Sequence, residues 1–291
     1  AEGAPGRPLI AETGGVNAMV VDSTALPEQA VRDVLASAFR SAGQRCSALR
    51  CLYLQQDVAG PVLEMLEGAL AELRPGDPWD LATDLGPVID EPARQGILRH
   101  VDQARAEGRL LAELPVPARG TYVAPAVIRV GGIGEIEREV FGPVLHVATF
   151  PAGGLDAVID AVNATGHGLT FGFHSRIDDR VQRVVERVHA GNLYVNRNQI
   201  GAVVGSQPFG GEGLSGTGPK AGGPHTLPRF APALPERAAG GWGRAEDLAA
   251  LAARLREAAA EPLPSPEPLT MPGPTGESNR LSLVARPPFL C

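Results

Sequence analysis

A thiol and a carboxylate, each close to glycines, are the two groups in this chain that could together carry out covalent chemistry on a carbonyl compound. Glu12 follows the apolar residues 9–11 and precedes Gly14 and Gly15, while Cys46 lies in a glycine-containing loop after a predicted helix. A thiolate attacks a carbonyl carbon, and a carboxylate then activates water against the resulting thioester. Either residue alone is more often structural, because surface glutamates and buried cysteines are both common. The pair is therefore a hypothesis that needs support from the rest of the chain.

Short apolar segments alternate with helical patterns from residue 9 to about residue 196, and these elements must position the two groups. Strands are predicted over residues 9–11, 17–22, 52–54, 109–114, 122–130, 144–150, 169–173 and 192–195, and helices over 27–42, 57–70, 91–107, 154–164 and 178–189. This alternation predicts an α/β fold, an open and mostly parallel sheet with helices on both faces. We expect Asp57 to cap its helix and the reactive loops to lie at the carboxyl ends of the strands.

Length and composition exclude several classes of protein. The chain has 291 residues, of which 44% are hydrophobic, so it can bury a sizeable core and is not wholly disordered. No apolar run approaches the roughly 20 residues needed to span a bilayer. A net charge of −7 without a basic run makes nucleic acid a poor partner. Three cysteines without a CxxC pair favour a reducing compartment, the cytoplasm, and the six histidines show no metal-ligand spacing.

Four segments, in the same order as in the family, resemble the aldehyde dehydrogenase superfamily. They are Glu-x-Gly-Gly at 12–15, Gly-Gln-x-Cys at 43–46, residues 137–144, and residues 191–196 followed by 208–211. Together they cover about residues 9–230. Segments 42–50, 191–198 and 208–224 are similar to one branch in particular, the glutamate-semialdehyde (1-pyrroline-5-carboxylate) dehydrogenases of bacterial bifunctional proline-utilisation proteins. The resemblance implies oxidation of L-glutamate 5-semialdehyde to L-glutamate with reduction of NAD.

The resemblance also assigns roles in catalysis and cofactor binding. It implies that Cys46 is the nucleophile, that its backbone N–H helps to bind the oxyanion, and that Glu12 is the general base. By the same matches, Glu139 would hold the nicotinamide ribose, Phe141 would pack beside the nicotinamide, and Gly14 would belong to the cofactor site. No residue is assigned to a metal.

Substrate recognition rests on two further segments. The resemblance implies that Ser47, together with the turn Ser215–Gly216, binds the carboxylate of the small aldehyde substrate. The segment 211–216 also fits the pattern G-x-G-x-x-G. It follows no apolar strand, and the glycines and prolines after it cannot open a helix, so it is not predicted to bind a dinucleotide.

The domain organisation implied by the resemblance has four parts. Residues 1–14 would end a cofactor-binding domain, 15–207 would be the catalytic domain, 208–232 would anchor substrate and form oligomer contacts, and 233–291 would be a proline-rich linker and the start of a C-terminal region. Most of the cofactor site would then lie upstream of this chain, and we expect the chain alone to be inactive. FAD is expected only in an upstream proline dehydrogenase domain, and the full-length protein is expected to be a homo-oligomer.

Two alternatives stay open on the sequence. The chain could be a non-catalytic scaffold or interaction module derived from an aldehyde dehydrogenase, or an aldehyde dehydrogenase with a different substrate. The presence of Glu12, Cys46 and Glu139 together favours an enzyme, because a scaffold needs none of them. Beyond residue 232, an amphipathic helix is predicted over 245–259 and an extended linker over 260–274.

Overall fold

A computed structural model describes residues 9–230, 256 and 267–284 of the chain. Contacts divide the chain into two compact units. The larger unit comprises Ile10–Gly201 and Gly210–Gly218, and the second comprises Ala1–Leu9, Ala202–Phe209 and Pro219–Cys291. The segment predicted over 208–232 is thus divided between them. The helix predicted over 245–259 lies almost entirely outside the described residues.

The second unit contains one hairpin among its described residues. Strands β10 (Leu269–Met271) and β11 (Asn279–Leu281) pair antiparallel, with Thr270 opposite Arg280. The prediction of an extended linker throughout 260–274 was therefore wrong at β10. The strand that pairs with β10 lies at residues 279–281, outside the proline-rich range for which the linker was predicted.

The larger unit is built on a seven-stranded sheet, in the order β3-β4-β5-β2-β1-β7-β8. Its strands are β1 (Asn17–Val21), β2 (Leu49–Gln55), β3 (Leu110–Glu113), β4 (Ala126–Arg129), β5 (Val144–Phe150), β7 (Thr170–His174) and β8 (Asn192–Val195). All neighbouring pairs are parallel except β3 with β4. The short strands β6 (His167–Gly168) and β9 (Glu212–Gly213) form a separate antiparallel pair.

Helices cover both faces of this sheet. Helices α1 (Pro27–Phe39) and α2 (Gln56–Ala71) pack on one face, and α3 (Glu91–Ala106), α4 (Leu155–Ala164) and α5 (Asp178–Arg187) pack on the other. Strand β1 shows why, because its side chains are buried on both sides and alternate between the two cores. The predicted α/β fold is confirmed.

Several predicted element boundaries were wrong. Residues 9–11 form no strand; Glu12 makes only an isolated bridge with Gly216, and Leu9 is largely exposed. Helix α2 begins at Gln56, so Asp57 lies in its first turn and is not its cap. The strand predicted over 122–130 is restricted to Ala126–Arg129. Pro125 directly before it has no N–H to donate to a strand partner.

The direction in which α1 connects β1 to β2 determines where the reactive loop lies. The helix predicted to residue 42 ends at Phe39, and a short 3-10 turn follows in which Ser41, Ala42 and Gly43 all have positive φ. Helix α1 runs back from the carboxyl end of β1 to the amino end of β2. The loop with Cys46 therefore lies at the amino edge of the sheet, and the predicted carboxyl-end location was wrong.

Candidate active site

Buried polar side chains hold the backbone of residues 40–48, here called the nucleophile loop. Asn17, at the start of β1, donates from Nδ2 to the carbonyl oxygens of Cys46 (2.7 Å) and Ala48 (2.9 Å), and its Oδ1 accepts from the N–H of Thr170 (3.1 Å). Gln199 donates to the Ser47 carbonyl at 3.3 Å. Because the carbonyls of residues 46–48 point into the protein, the backbone around the thiol has one defined orientation.

Cys46 itself is exposed, and the charges of both predicted carboxylates act on its thiol. Partial desolvation raises the pKa of the Cys46 thiol, and the negative charges of Glu139 and Glu12 raise it further. Hydrogen bonds from the backbone N–H groups of Ser47 and Cys46 to the sulfur act in the opposite direction on this pKa. The thiol is therefore protonated at neutral pH, and nucleophilic attack requires a base to remove its proton.

We expect alkylation of Cys46 by iodoacetamide to be slower than that of free cysteine at pH 7, because a raised pKa lowers the thiolate fraction. The rate should increase with pH, with its midpoint above that of free cysteine. Measuring the modification of the Cys46 peptide by mass spectrometry across pH 6–10 tests this, and the peptide of buried Cys51 provides an internal control. A midpoint at or below that of free cysteine would contradict the raised pKa of the Cys46 thiol.

The nucleophile loop touches a second loop, residues 137–143, here called the Glu139 loop. Gly43 has φ of 67°, and a Cβ at this position would lie 2.0 Å from the carbonyl oxygen of Gly142. Only glycine fits this position, because a side chain would be strained by the backbone conformation and would overlap the facing backbone. The two loops thus lie directly against each other at Gly43 and Gly142.

Replacing Gly43 with alanine should lower the free energy of unfolding by about 2–5 kcal/mol, from the left-handed conformation and the overlap together. Gly60→Ala is the matched control. Gly60 lies exposed in α2, and a Cβ at its position would have no atom within 4 Å, so alanine there should be neutral or stabilising by up to about 1 kcal/mol. Urea denaturation measures the free energy of unfolding of both variants. Equal effects of the two substitutions would contradict the close approach of the nucleophile loop and the Glu139 loop.

Glu139 is held in place before any ligand arrives. Its Oε1 accepts two hydrogen bonds from Arg50 (3.0 and 3.3 Å), and its Oε2 accepts one from the N–H of Gly15 (3.2 Å). A carboxylate has about four acceptor positions, so one remains for a ligand hydroxyl. A Cβ at Gly14 would lie 2.4 Å from Oε2 of Glu139. Gly14 therefore lies directly against this carboxylate, and it belongs to the site through that contact.

Phe141 presents an aromatic face next to Glu139. Its side chain is 46% exposed, and the guanidinium carbon of Arg50 lies 5.2 Å from the ring centroid. A pocket opens beside these two residues, between the Glu139 loop and α3. Its further lining residues are Ala93, Gly96, Ile97, Arg138 and Val140. A carboxylate and an exposed ring beside a pocket are suited to one sugar and one flat heterocycle.

The predicted substrate turn contacts Glu12 instead of lying open. The N–H of Thr13 donates to the Ser215 carbonyl at 3.2 Å, and Glu12 Oε2 accepts from the N–H of Gly211 at 3.1 Å. A Cβ at Gly216 would lie 3.0 Å from Glu12 Oε1. The segment 210–218 therefore orients the carboxylate of Glu12.

This geometry does not agree with direct binding of the substrate by the side chain of Ser215. Its side chain is fully buried, and its hydroxyl accepts from the N–H of Gly168 at 3.0 Å. Ser215 thus fixes its own turn against β6. The Ser47 hydroxyl, by contrast, makes no hydrogen bond within the described part of the chain, and its contact with substrate stays a prediction, as does that of the Gly216 backbone.

Sequence reasoning missed the buried polar residues that hold the site together, Asn17, Arg50, Thr170 and Gln199. All four are at most 3% exposed. A polar side chain inside an apolar strand pattern was the available signal for Asn17 and Arg50, since such groups are buried only when hydrogen-bonded.

Within residues 9–230, 256 and 267–284, no three histidine, cysteine or acidic side chains are grouped so that they could ligate a metal ion. Over the same residues, every helix is too short or too polar to cross a bilayer.

Comparison with known proteins establishes the family. The model of the aldehyde dehydrogenase family matches residues 1–232. The chain belongs to the aldehyde dehydrogenase family. This family membership agrees with the mostly parallel sheet and with the resemblance of the four segments.

The relatives include PutA proteins and a 1-pyrroline-5-carboxylate dehydrogenase. The chain is 49% identical to the bifunctional protein PutA of Klebsiella aerogenes, covering 98% of the chain and 24% of the relative. A crystal structure of a Bradyrhizobium japonicum PutA variant superposes with a TM-score of 0.77 at 56% identity, over 79% of the chain and 24% of that protein. The 1-pyrroline-5-carboxylate dehydrogenase from Thermus with bound NAD gives a TM-score of 0.71 at 35% identity, over 78% of the chain and 45% of that protein. The chain thus spans about a quarter of the length of its PutA relatives.

Proposed function

We propose that this chain forms the catalytic part of an NAD-dependent dehydrogenase that oxidises L-glutamate 5-semialdehyde to L-glutamate in proline catabolism. The observation that carries the proposal is the placement of Glu12, Cys46 and Glu139 at the amino edge of one sheet. Glu139 accepts from the N–H of Gly15, three residues after Glu12, and from Arg50, four residues after Cys46. Both carboxylates raise the pKa of the Cys46 thiol. The substrate comes from the branch, because the relatives include a 1-pyrroline-5-carboxylate dehydrogenase that was crystallised with NAD.

The residues divide the reaction between them. The Glu12 carboxylate accepts the thiol proton. The Cys46 thiolate then attacks the aldehyde carbon to form a tetrahedral adduct. We assign the backbone N–H groups of Cys46 and Ser47, which lower the pKa of the thiol, to the oxyanion that forms beside it. One such donor contributes about 3–4 kcal/mol to transition-state stabilisation in acyl-transfer sites.

The second half of the reaction releases the product. The adduct loses its hydride, for which bound NAD supplies the acceptor, and a thioester on Cys46 remains. Glu12 releases the thiol proton to solvent and then removes a proton from water. The resulting hydroxide attacks the thioester carbon, the Cys46 thiolate is expelled, and the product acid leaves as its carboxylate after losing a proton to solvent. The hydrogen bond from Gly211 keeps the Glu12 carboxylate oriented for this step.

The described residues fit the nicotinamide end of NAD. Glu139 has an acceptor position left on Oε2 for a ribose hydroxyl, and Phe141 offers an exposed ring for the nicotinamide. Both residues line the pocket beside α3. By resemblance, the contacts to the adenosine end come from a cofactor-binding domain that this sequence does not include.

Titration of the 291-residue chain with NAD should therefore show no binding tighter than about 1 mM. One hydrogen bond to a charged group and one buried Phe contribute about 3–6 kcal/mol together, while a millimolar constant corresponds to about 4 kcal/mol and association itself costs several. Calorimetry provides the measurement, with Glu139→Ala as the blank. A micromolar dissociation constant would mean that the chain contains a cofactor site of its own.

A segment exchange tests the function. The 291-residue chain replaces the matching quarter of Klebsiella aerogenes PutA, with which it shares 49% identity. The chimera should reduce NAD when supplied with L-glutamate 5-semialdehyde. A folded chimera that binds NAD but oxidises no glutamate semialdehyde would overturn the substrate assignment. A chimera inert toward every aldehyde would favour the scaffold alternative.

The cellular setting is the remaining part of the proposal. The exposed Cys46 must stay a free thiol, which favours a reducing compartment, and we place the protein in the cytoplasm. We also propose a homo-oligomer for the full-length protein, by analogy with the family, and any FAD would belong to an upstream proline dehydrogenase domain.

A further inference from the structure

Arg50 is the most deeply buried charged residue among those the structure describes, and the proposed mechanism gives it no role. It is the second residue of β2, four positions after Cys46, and none of its surface is exposed. A buried cation is costly unless it is paired and all of its donors are satisfied. Arg50 meets both conditions, and the identity of its partners indicates what it does.

The five N–H donors of the Arg50 guanidinium are all used, and they reach two loops. Nη1 donates to the carbonyls of Gly43 (2.8 Å) and Gly142 (3.1 Å), and Nη2 donates to the carbonyl of Arg45 (3.3 Å). Nη2 and Nε together donate to Glu139 Oε1. Two of the acceptors lie in the nucleophile loop, directly before Cys46, and two lie in the Glu139 loop.

The contacts are specific to arginine. Four acceptors surround a planar group with five fixed donors, and the Phe141 ring covers the guanidinium at 5.2 Å. A lysine at this position carries a single nitrogen with three donors, so it cannot reach all four acceptors. The backbone of Arg50 is fixed as well, because its carbonyl accepts from Nδ1 of the buried His146 at 2.9 Å.

We propose that Arg50 is a positioning residue that joins the nucleophile loop to the Glu139 loop, so that the thiol and the residues for the nicotinamide ribose keep one fixed arrangement. This proposal rests on the proposed function only for the ligand of Glu139. The joining of the loops is a property of the chain itself and is measured without NAD or aldehyde.

The test uses the full 291-residue chain and the variant Arg50→Lys. Amide hydrogen exchange, read by mass spectrometry, should become about tenfold faster or more in peptides from both loops, since lost hydrogen bonds permit local opening. The pH midpoint of Cys46 alkylation should also move to higher pH, because a loosened loop no longer directs its N–H groups at the sulfur. Circular dichroism establishes that the variant is folded.

Arg180→Lys is the matched control. Arg180 pairs with the buried Asp22 at 2.9 Å at the carboxyl end of β1, far along the strand from the active-site edge. This substitution removes a comparable arginine–carboxylate contact and should leave both loop peptides and the alkylation profile as they are in the parent chain.

Glu139→Gln provides a second route if Arg50→Lys does not fold. It keeps the side-chain size and the guanidinium but weakens the contact from the Glu139 loop, so exchange should become faster in the nucleophile loop as well. Unchanged exchange in the nucleophile loop, in Glu139→Gln or in a folded Arg50→Lys chain, overturns the proposal.

Discussion

Cys46→Ala in the chimera should lower aldehyde oxidation below about one part in a thousand of the parent rate, because removing a covalent nucleophile costs several orders of magnitude. The side chain is exposed, so its truncation leaves no cavity in the core. The variant should fold and bind NAD normally, and this separates a chemical loss from a structural one. Cys51 cannot substitute for it, because burial raises its pKa far above the physiological range and leaves it inaccessible.

Cys51→Ser is the control for this loss. Cys51 lies in β2, the strand that follows the nucleophile loop, and is buried in the core. The control should therefore lose some stability and keep the chemistry. Initial rates of NADH formation at saturating aldehyde give the comparison. Turnover by Cys46→Ala above about one part in a thousand removes Cys46 from the role of nucleophile.

Glu12→Gln should separate the two halves of the reaction. A positioned general base contributes about 10²–10⁴-fold to a hydrolytic step, so steady-state turnover should decrease by about 100-fold or more. Hydride loss precedes hydrolysis, and a rapid burst of NADH, near one equivalent per site, should therefore remain before the slow phase. The glutamine also removes one negative charge facing the sulfur, which lowers the thiol pKa and partly compensates for the missing base in the first step.

Stopped-flow absorbance of NADH provides the measurement for Glu12→Gln. Thr13→Val is a useful neighbour control, because the Thr13 hydroxyl donates to the Leu214 carbonyl of the same turn without reaching the thiol chemistry. Loss of the burst in Glu12→Gln would mean that attack depends on Glu12 at least as strongly as hydrolysis does, and would contradict this separation of the two halves.

The sheet was predictable from the sequence because its strands are continuous apolar runs. Strands β5, β7 and β8 were predicted with nearly correct bounds, since a strand buried on both faces consists largely of apolar residues. The apolar residues before Glu12 gave the same signal without forming a strand. Leu9 and Ile10 belong to no strand, and periodicity carries no information about pairing.

The residues of the site were predictable by motif, and their arrangement was not. Glu12, Cys46 and Glu139 stand in recognisable segments, but the edge of the sheet on which they meet follows from the parallel pairing of β1 and β2, which places the loop after α1 at the amino end of β2. The turn after α1 contains three residues with positive φ, of which only Gly43 is of a type that indicates such a backbone. The polar side chains of Arg50 and Asn17 inside apolar strand patterns indicate buried, hydrogen-bonded groups, but the groups that they bind are visible only from the acceptors around them.

Trapping of the acyl-enzyme tests the central claim most directly. The Glu12→Gln chimera, mixed with NAD and L-glutamate 5-semialdehyde and quenched in acid within the burst, is digested and examined by mass spectrometry. We expect one glutamyl group, attached as a hydroxylamine-labile thioester to the peptide that contains Cys46, and none when NAD is omitted. A burst of NADH with an unmodified Cys46 peptide, or with the acyl group on another residue, would contradict the proposed mechanism.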